Sequence, residues 1–187
     1  MNCYPVSRSY VSALFLGLAC ILTSTNASAA LDAFATIEGE TQGVIIGDVD
    51  IAPYENTIRI KGFGSSVSAD FDMGTGLPTG ADQHRPIRIL KNIDPASPKL
   101  LQAMDTNETL VLVTIQFTRP GPVGSEEQFY TVQLVNAHVV SILPSHSSQT
   151  DDLAVEMNET VSLTYEVMVV TWEDGGITSQ TSWAPSP

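Results

Sequence analysis

Between Ala33 and Trp183 the chain is written largely in period two, and a helical signal interrupts it in one place. Residues 33–38 (AFATIE) alternate and stop at Gly39, and residues 56–62 place Ile58 and Ile60 opposite Arg59 and Lys61. Residues 43–51 hold a β-branched run, Val44-Ile45-Ile46, before Asp48, Asp50 and Pro53. Residues 110–118 alternate through Val111, Val113, Ile115 and Phe117. Residues 128–143 alternate through Tyr130, Val132 and Leu134 and predict a kink at Asn136-Ala137. Residues 160–172 read as the longest strand, with Val161, Leu163, Tyr165, Val167 and Val169 on one face. Its other face turns apolar only at Met168, Val170 and Trp172. The turn at 173–176 (EDGG) predicts a brief returning edge strand over 177–183. Alternation of this kind marks strands with one buried face, so the class is all-β: a barrel or sandwich of antiparallel strands with one short helix on its side.

The helix lies in the stretch 84–104, HRPIRILKNIDPASPKLLQAM. Pro86 suits the first residue of a strand, where a missing N–H costs no ladder bond. Ile87 and Ile89 alternate with Arg88, and Asp94-Pro95 ends the strand because a residue before proline avoids helical angles. Ser97 is the expected N-cap and Pro98 the first helical residue. Leu100, Leu101 and Met104 are expected on one buried face, and 105–107 (DTN) ends the helix. Residues 64–82 and 144–152, rich in Gly, Ser, Asp and Pro, read as loops.

Residues 1–29 have the plan of a cleaved secretory leader. Arg8 supplies the charge, residues 11–22 (VSALFLGLACIL) the apolar stretch, and Ala27-Ser28-Ala29 the small-residue cleavage site. A dozen apolar residues fall short of the roughly 20 that span a bilayer as a helix. The expected mature chain is a single domain, residues 30–187, exported to the periplasm or beyond, with no membrane contact of its own. Cys3 and Cys20 leave with the leader, so the mature chain has no thiol for a disulfide, a metal or a nucleophile.

Seven basic residues then stand against twenty-one acidic ones, a net charge of −14. A chain this acidic lacks the basic patch that nucleic-acid binding needs. Six of the seven, Arg59, Lys61, Arg85, Arg88, Lys91 and Lys99, fall between 59 and 99. One less-acidic face is therefore expected to meet an acidic face of the next copy, with Arg59, Lys61 and Arg88 as candidate contacts.

Catalytic patterns are missing from the sequence. His84, His138 and His146 are scattered, and Asp48-x-Asp50 and Asp70-x-Asp72 lack the Gly and distal Glu of a calcium loop. There is no nucleophile elbow, phosphate loop or zinc-protease motif. No catalytic residue, cofactor or metal site is nominated, and an enzyme is the least favoured class.

The wording of the strands resembles a family. IEGE at 37–40, the stretch 84–104, TIQFTRP at 114–120, FYTVQL at 129–134, VVSILPS at 139–145 and TYEVMVVTWEDGG at 164–176 occur in order. Together they resemble the Hcp (haemolysin-coregulated protein) family, tube proteins of type VI secretion. The most telling residues are His84, Pro86, Lys91, Ile93-Asp94, Ser97-Pro98 and Leu100-Leu101. The resemblance implies a structural protein whose hexameric rings stack into a hollow tube, fired by a sheath beneath a spike and able to hold small effector proteins. It also implies departure through that machine, whereas the leader implies the general export pathway. The alternative reading is an exported monomeric β-sandwich that binds a ligand or surface through Trp183 and the loop 64–82.

Overall fold

Nine strands and one helix follow one another along residues 31–121, 125–147 and 156–183, the residues this computed structural model describes. They are β1 (Asp32–Gly39), β2 (Gly43–Ile45), β3 (Ile58–Ser68), β4 (Gln83–Asn92), α1 (Ala96–Asp105), β5 (Leu110–Pro120), β6 (Glu126–Ser147), β7 (Glu156–Thr164), β8 (Val167–Trp172) and β9 (Ile177–Ser182). The leader expected at 1–29 falls outside the described residues.

The hydrogen-bonded order is β2-β1-β3-β4-β7-β6-β8-β9, and β5 joins β1 to β6. That join closes a ring of six antiparallel strands, β1-β3-β4-β7-β6-β5. Closure removes the open edges that would otherwise recruit another chain. Of the described strands, β2 and the β8–β9 hairpin hang outside it. The antiparallel barrel with a side helix expected from the alternation is the fold observed.

The period-two residues fill the barrel. Ala33, Ala35 and Ile37 of β1, Ile58 and Ile60 of β3, and Ile87 and Ile89 of β4 all point inward, as do Val113, Ile115, Val132, Leu134, Val161 and Leu163. A second, smaller cluster sits outside, where Phe34 stacks flat on Tyr54 at 4.2 Å over Val49. It ties the β2–β3 loop to the back of β1.

Several expectations are corrected. The strand expected over 43–51 ends at Ile45, because the chain folds back on itself: Gly47 donates to the Asn56 carbonyl and Asn56 to that of Val49. The loop expected over 64–82 begins later, since β3 continues to Ser68; β6 runs on to Ser147 through the start of the loop expected over 144–152, whose remainder lies outside the described residues. The kink expected at Asn136-Ala137 is present, with Asn136 in the left-handed region at φ 50°. The single strand expected over 160–172 is two strands, broken at Tyr165-Glu166. Inward residues are odd before the break (Val161, Leu163) and even after it (Met168). This slip of phase is why the sequence looks apolar on both faces there. The longest strand is β6, at 22 residues.

Ser97 does not cap the helix. The N-cap position is Pro95, Ser97 lies inside the first turn, and Asp94 Oδ1 instead accepts from the Ala96 N–H at 2.9 Å. The buried helical face is Ala96, Leu100 and Ala103, spaced i, i+4, i+7, whereas Leu101 is 53% exposed. Pro86 is not the first residue of its strand. It sits where β4 carries one more residue than β3, a bulge, which equally tolerates a missing donor.

Candidate assembly surface

The stretch 84–104 is built around a buried ammonium. Lys91 points into the protein with no exposed surface, and its Nζ lies 2.7 Å from Asp94 Oδ1 and 2.8 Å from Glu159 Oε1. The Asn92 carbonyl at 2.8 Å and Ser97 Oγ at 3.0 Å complete its shell. Ser97 in turn donates to Glu159 at 2.7 Å and accepts from the Asp94 N–H at 3.1 Å. One cation thus fastens the end of β4, the first turn of α1 and the middle of β7. A charge is tolerated in such a place only when paired and fully hydrogen-bonded. Lys91, Asp94 and Ser97, three of the residues that make this stretch distinctive in the sequence, are parts of that joint.

A second joint lies at the opposite end of α1. Glu108, which is 8% exposed, accepts from the Thr41 and Gln42 N–H groups and the Gln42 amide, each at 2.8 Å. Burial by itself would raise its pKa; the Gln42 and Thr41 donors, helped by the Lys99 charge, outweigh it and hold the carboxyl below the usual range. Because the folded-state pKa lies below the unfolded one, this stabilisation is full above the ordinary glutamate range. It disappears as pH falls through the folded-state value. Glu108→Gln is therefore expected to melt about 2–4 °C below the wild type at pH 7, the equivalent of about 1 kcal/mol. In thermal melts the gap should shrink toward nothing as the pH is taken below the folded-state pKa.

The outer wall formed by β3 and β4 carries the three candidate contact residues. Arg59 is half-buried: it reaches Asp32 at 3.1 Å and lies 5.3 Å above the Phe34 ring. Lys61, two residues on, and Arg88, opposite Gly64, are exposed. The structure thus brings all three onto one outer surface. The segment's surplus positive charge survives at the surface, because Lys91 is interior together with Asp94 of the same segment.

Beyond this wall, residues 69–82 form an ordered excursion. Phe71 bridges to Pro78, and Asp72 Oδ1 accepts from Gly74 N–H at 3.1 Å and from Thr75 N–H at 2.7 Å. The Thr75 hydroxyl at 2.8 Å is the main reason the Asp72 carboxyl titrates below its usual range. Phe71, Met73 and Leu77 are 61%, 90% and 64% exposed. An apolar tip this open is suited to contact with another molecule.

The remaining polar residues singled out in the sequence are scattered or internally engaged. His84 Nδ1 meets the Tyr165 hydroxyl at 2.8 Å, with Trp183 tilted 5.6 Å from its ring. Burial pushes the Tyr165 phenol up. Trp183 thus packs against the barrel through His84 and Tyr165 while staying half-buried. Trp172 is 39% exposed, edge-on to Phe129 at 5.6 Å. His138 faces Thr109, and among the described residues no three His, Cys, Asp or Glu converge as a metal site. No described helix is long and apolar enough to cross a membrane.

Residues 34–172 match the family model described as "Type VI secretion system effector, Hcp". The chain belongs to the Hcp family. The major exported protein of Pseudomonas aeruginosa PAO1 is 32% identical to it over 165 residues, covering 82% of this chain and 96% of that protein. Among solved structures, a mutant form of Hcp1 from the E. coli EAEC 042 pathovar superposes with a TM-score of 0.75. It is 26% identical, across 83% of this chain and all of that one. The secreted protein Hcp3 from Pseudomonas aeruginosa superposes with a TM-score of 0.67 at 26% identity, across 83% of this chain and 99% of its own. The family match thus covers residues 34–172 of the 187. Sequence reasoning named the family from the wording of strands but counted Lys91 as surface charge. It also passed over Glu108, whose partners Thr41 and Gln42 lie 67 and 66 residues away.

Proposed function

We propose that this Hcp protein is a structural component that assembles into hexameric rings and stacks them into a hollow tube, and that it acts through assembly rather than catalysis. The observation that carries the reading is the match of residues 34–172 to a type VI secretion family together with the closed barrel those residues form. Closure leaves self-assembly to what projects from the barrel: the edges of β2 and β9, the tip at 69–82, and the β3–β4 wall with Arg59, Lys61 and Arg88. The spike, the sheath and small effector proteins held in the lumen are its partners in this reading. The leader at 1–29 takes the chain through the general export pathway, giving a mature protein of residues 30–187 in the periplasm or outside the cell. The name of the Pseudomonas aeruginosa relative, an exported protein, supports an extracytoplasmic role.

Light scattering on the purified leaderless chain after size exclusion tests assembly, with negative-stain imaging of the same peak. A hexamer with ring-shaped particles is expected. A monomer persisting at high concentration would overturn the tube role and give the exported binding module the lead. Intact mass of the protein recovered from the periplasm should begin at Ala30; an unprocessed N-terminus would overturn the export route alone.

A further inference from the structure

A cleft of about 370 Å³ opens on the β3–β4 wall between Gly64, Ser65, Ser66, Arg85, Pro86 and Arg88. Two arginines three apart on a regular strand would point to opposite faces. Here they share one, because Arg85 pairs with Ser66 and Arg88 with Gly64: three steps on β4 match two on β3. The bulge at Pro86 re-aims one side chain. Its floor is bare, since a Cβ added at Gly64 would meet nothing within 4 Å.

Both guanidiniums are exposed, and neither has a carboxylate within 4 Å among the described residues. Arg59, Lys91 and Arg119 are all ion-paired. In a mature chain of charge −14, two adjacent unpaired arginines are a notable vacancy for anions. A guanidinium binds a carboxylate through two parallel N–H donors, so the cleft is suited to two carboxylates at close spacing.

The chain itself presents such a pair. Along residues 45–50 burial alternates, so Asp48 and Asp50 project outward together while Ile45, Gly47 and Val49 face in. In extended backbone two residues span about 7 Å. Neither aspartate has a hydrogen-bond or ion-pair partner among the described residues, and the loop is held rigid by the Val49–Tyr54–Phe34 cluster. This loop enters β3 at Ile58, while the cleft lies beside residues 64–66 of the same strand. Acid and base are therefore separated along the strand by on the order of 20–25 Å and cannot meet within one copy.

We infer that the Arg85–Arg88 cleft of one copy receives Asp48 and Asp50 of the next, a head-to-tail contact. Such heterologous contacts propagate into rings or open stacks. The inference rests on the self-assembly reading and moves its cationic half from Arg59, already committed to Asp32, to Arg85 beside Arg88.

Sedimentation velocity on the leaderless chain tests it with two reversals, Arg85→Glu/Arg88→Glu and Asp48→Arg/Asp50→Arg. Each alone sets like charges against each other and is expected to weaken association at least about tenfold. An equimolar mixture of the two restores opposite charges at every contact and should recover the wild-type distribution. Wild-type association should fall as salt rises from about 0.05 to 0.5 M. Far-UV CD confirms each fold, and the milder pairs Arg85→Gln/Arg88→Gln and Asp48→Asn/Asp50→Asn replace any reversal that does not fold, each expected to weaken association. Reversals or neutral pairs that assemble like wild type would overturn the contact and leave assembly standing. So would folded reversals whose mixture stays dissociated. A wild-type chain that never associates would overturn both.

Discussion

Lys91→Ala is expected to destabilise the protein by about 3–5 kcal/mol, the cost of leaving buried carboxylates without their counter-charge. Asp94 and Glu159 have side-chain exposures of 2% and 4%, so water cannot take over from the ammonium. The effect should appear in urea titration as a lower midpoint with an unchanged slope. Combining Lys91→Met with Asp94→Asn and Glu159→Gln should recover much of the loss, since a neutral joint of similar volume has no uncompensated charge. A loss under about 1 kcal/mol for Lys91→Ala would mean that the carboxylates find other partners.

Gly47→Ala should be nearly as damaging for a different reason. A Cβ at residue 47 meets the backbone of Thr57 and Ile58: it would lie 2.7 Å from the Thr57 carbonyl carbon and 2.8 Å from Ile58 Cα. Flexible side chains can move aside, but this obstacle is the start of β3, paired with β1 at Ala35. A destabilisation of about 3 kcal/mol is expected, at the upper end of ordinary overpacking. The aromatic pair should report it, with altered near-UV CD from Tyr54 as its stack on Phe34 is disturbed. A stable variant with an unchanged Tyr54 signal would show that the loop can shift at little cost, and would remove the rigidity that the head-to-tail contact assumes.

What the sequence disclosed and what it hid follow from range. Alternation is local, so Ile58 and Ile60 or Ile87 and Ile89 announce their strands without knowledge of the partner. Phase is local only until a strand breaks. Nothing adjacent to Tyr165-Glu166 marks the slip between β7 and β8, which is fixed by Glu166 donating to the Val135 carbonyl across the sheet. Lys91 and Arg85 fail in opposite ways. Lys91 sits among surface-type charges but is interior, because its partner Glu159 is 68 residues away. Arg85 falls before the strand expected to start at Pro86, and only the β3 register, with its bulge, places it on the same face as Arg88. Leu101 faces solvent because α1 packs along a narrow Ala96–Leu100–Ala103 stripe, and small alanines are weak signals of burial.

The joint at Lys91 also sets a timetable for folding. β4 acquires its second neighbour, and Lys91 its second carboxylate, only when residues 156–164 exist. A nascent chain that has already emitted β1 to β4 and α1 therefore cannot complete the barrel until its last quarter is made. Contacts this distant in sequence form slowly, because chain closure must precede the gain from making them. The architecture itself thereby postpones commitment until synthesis is nearly over.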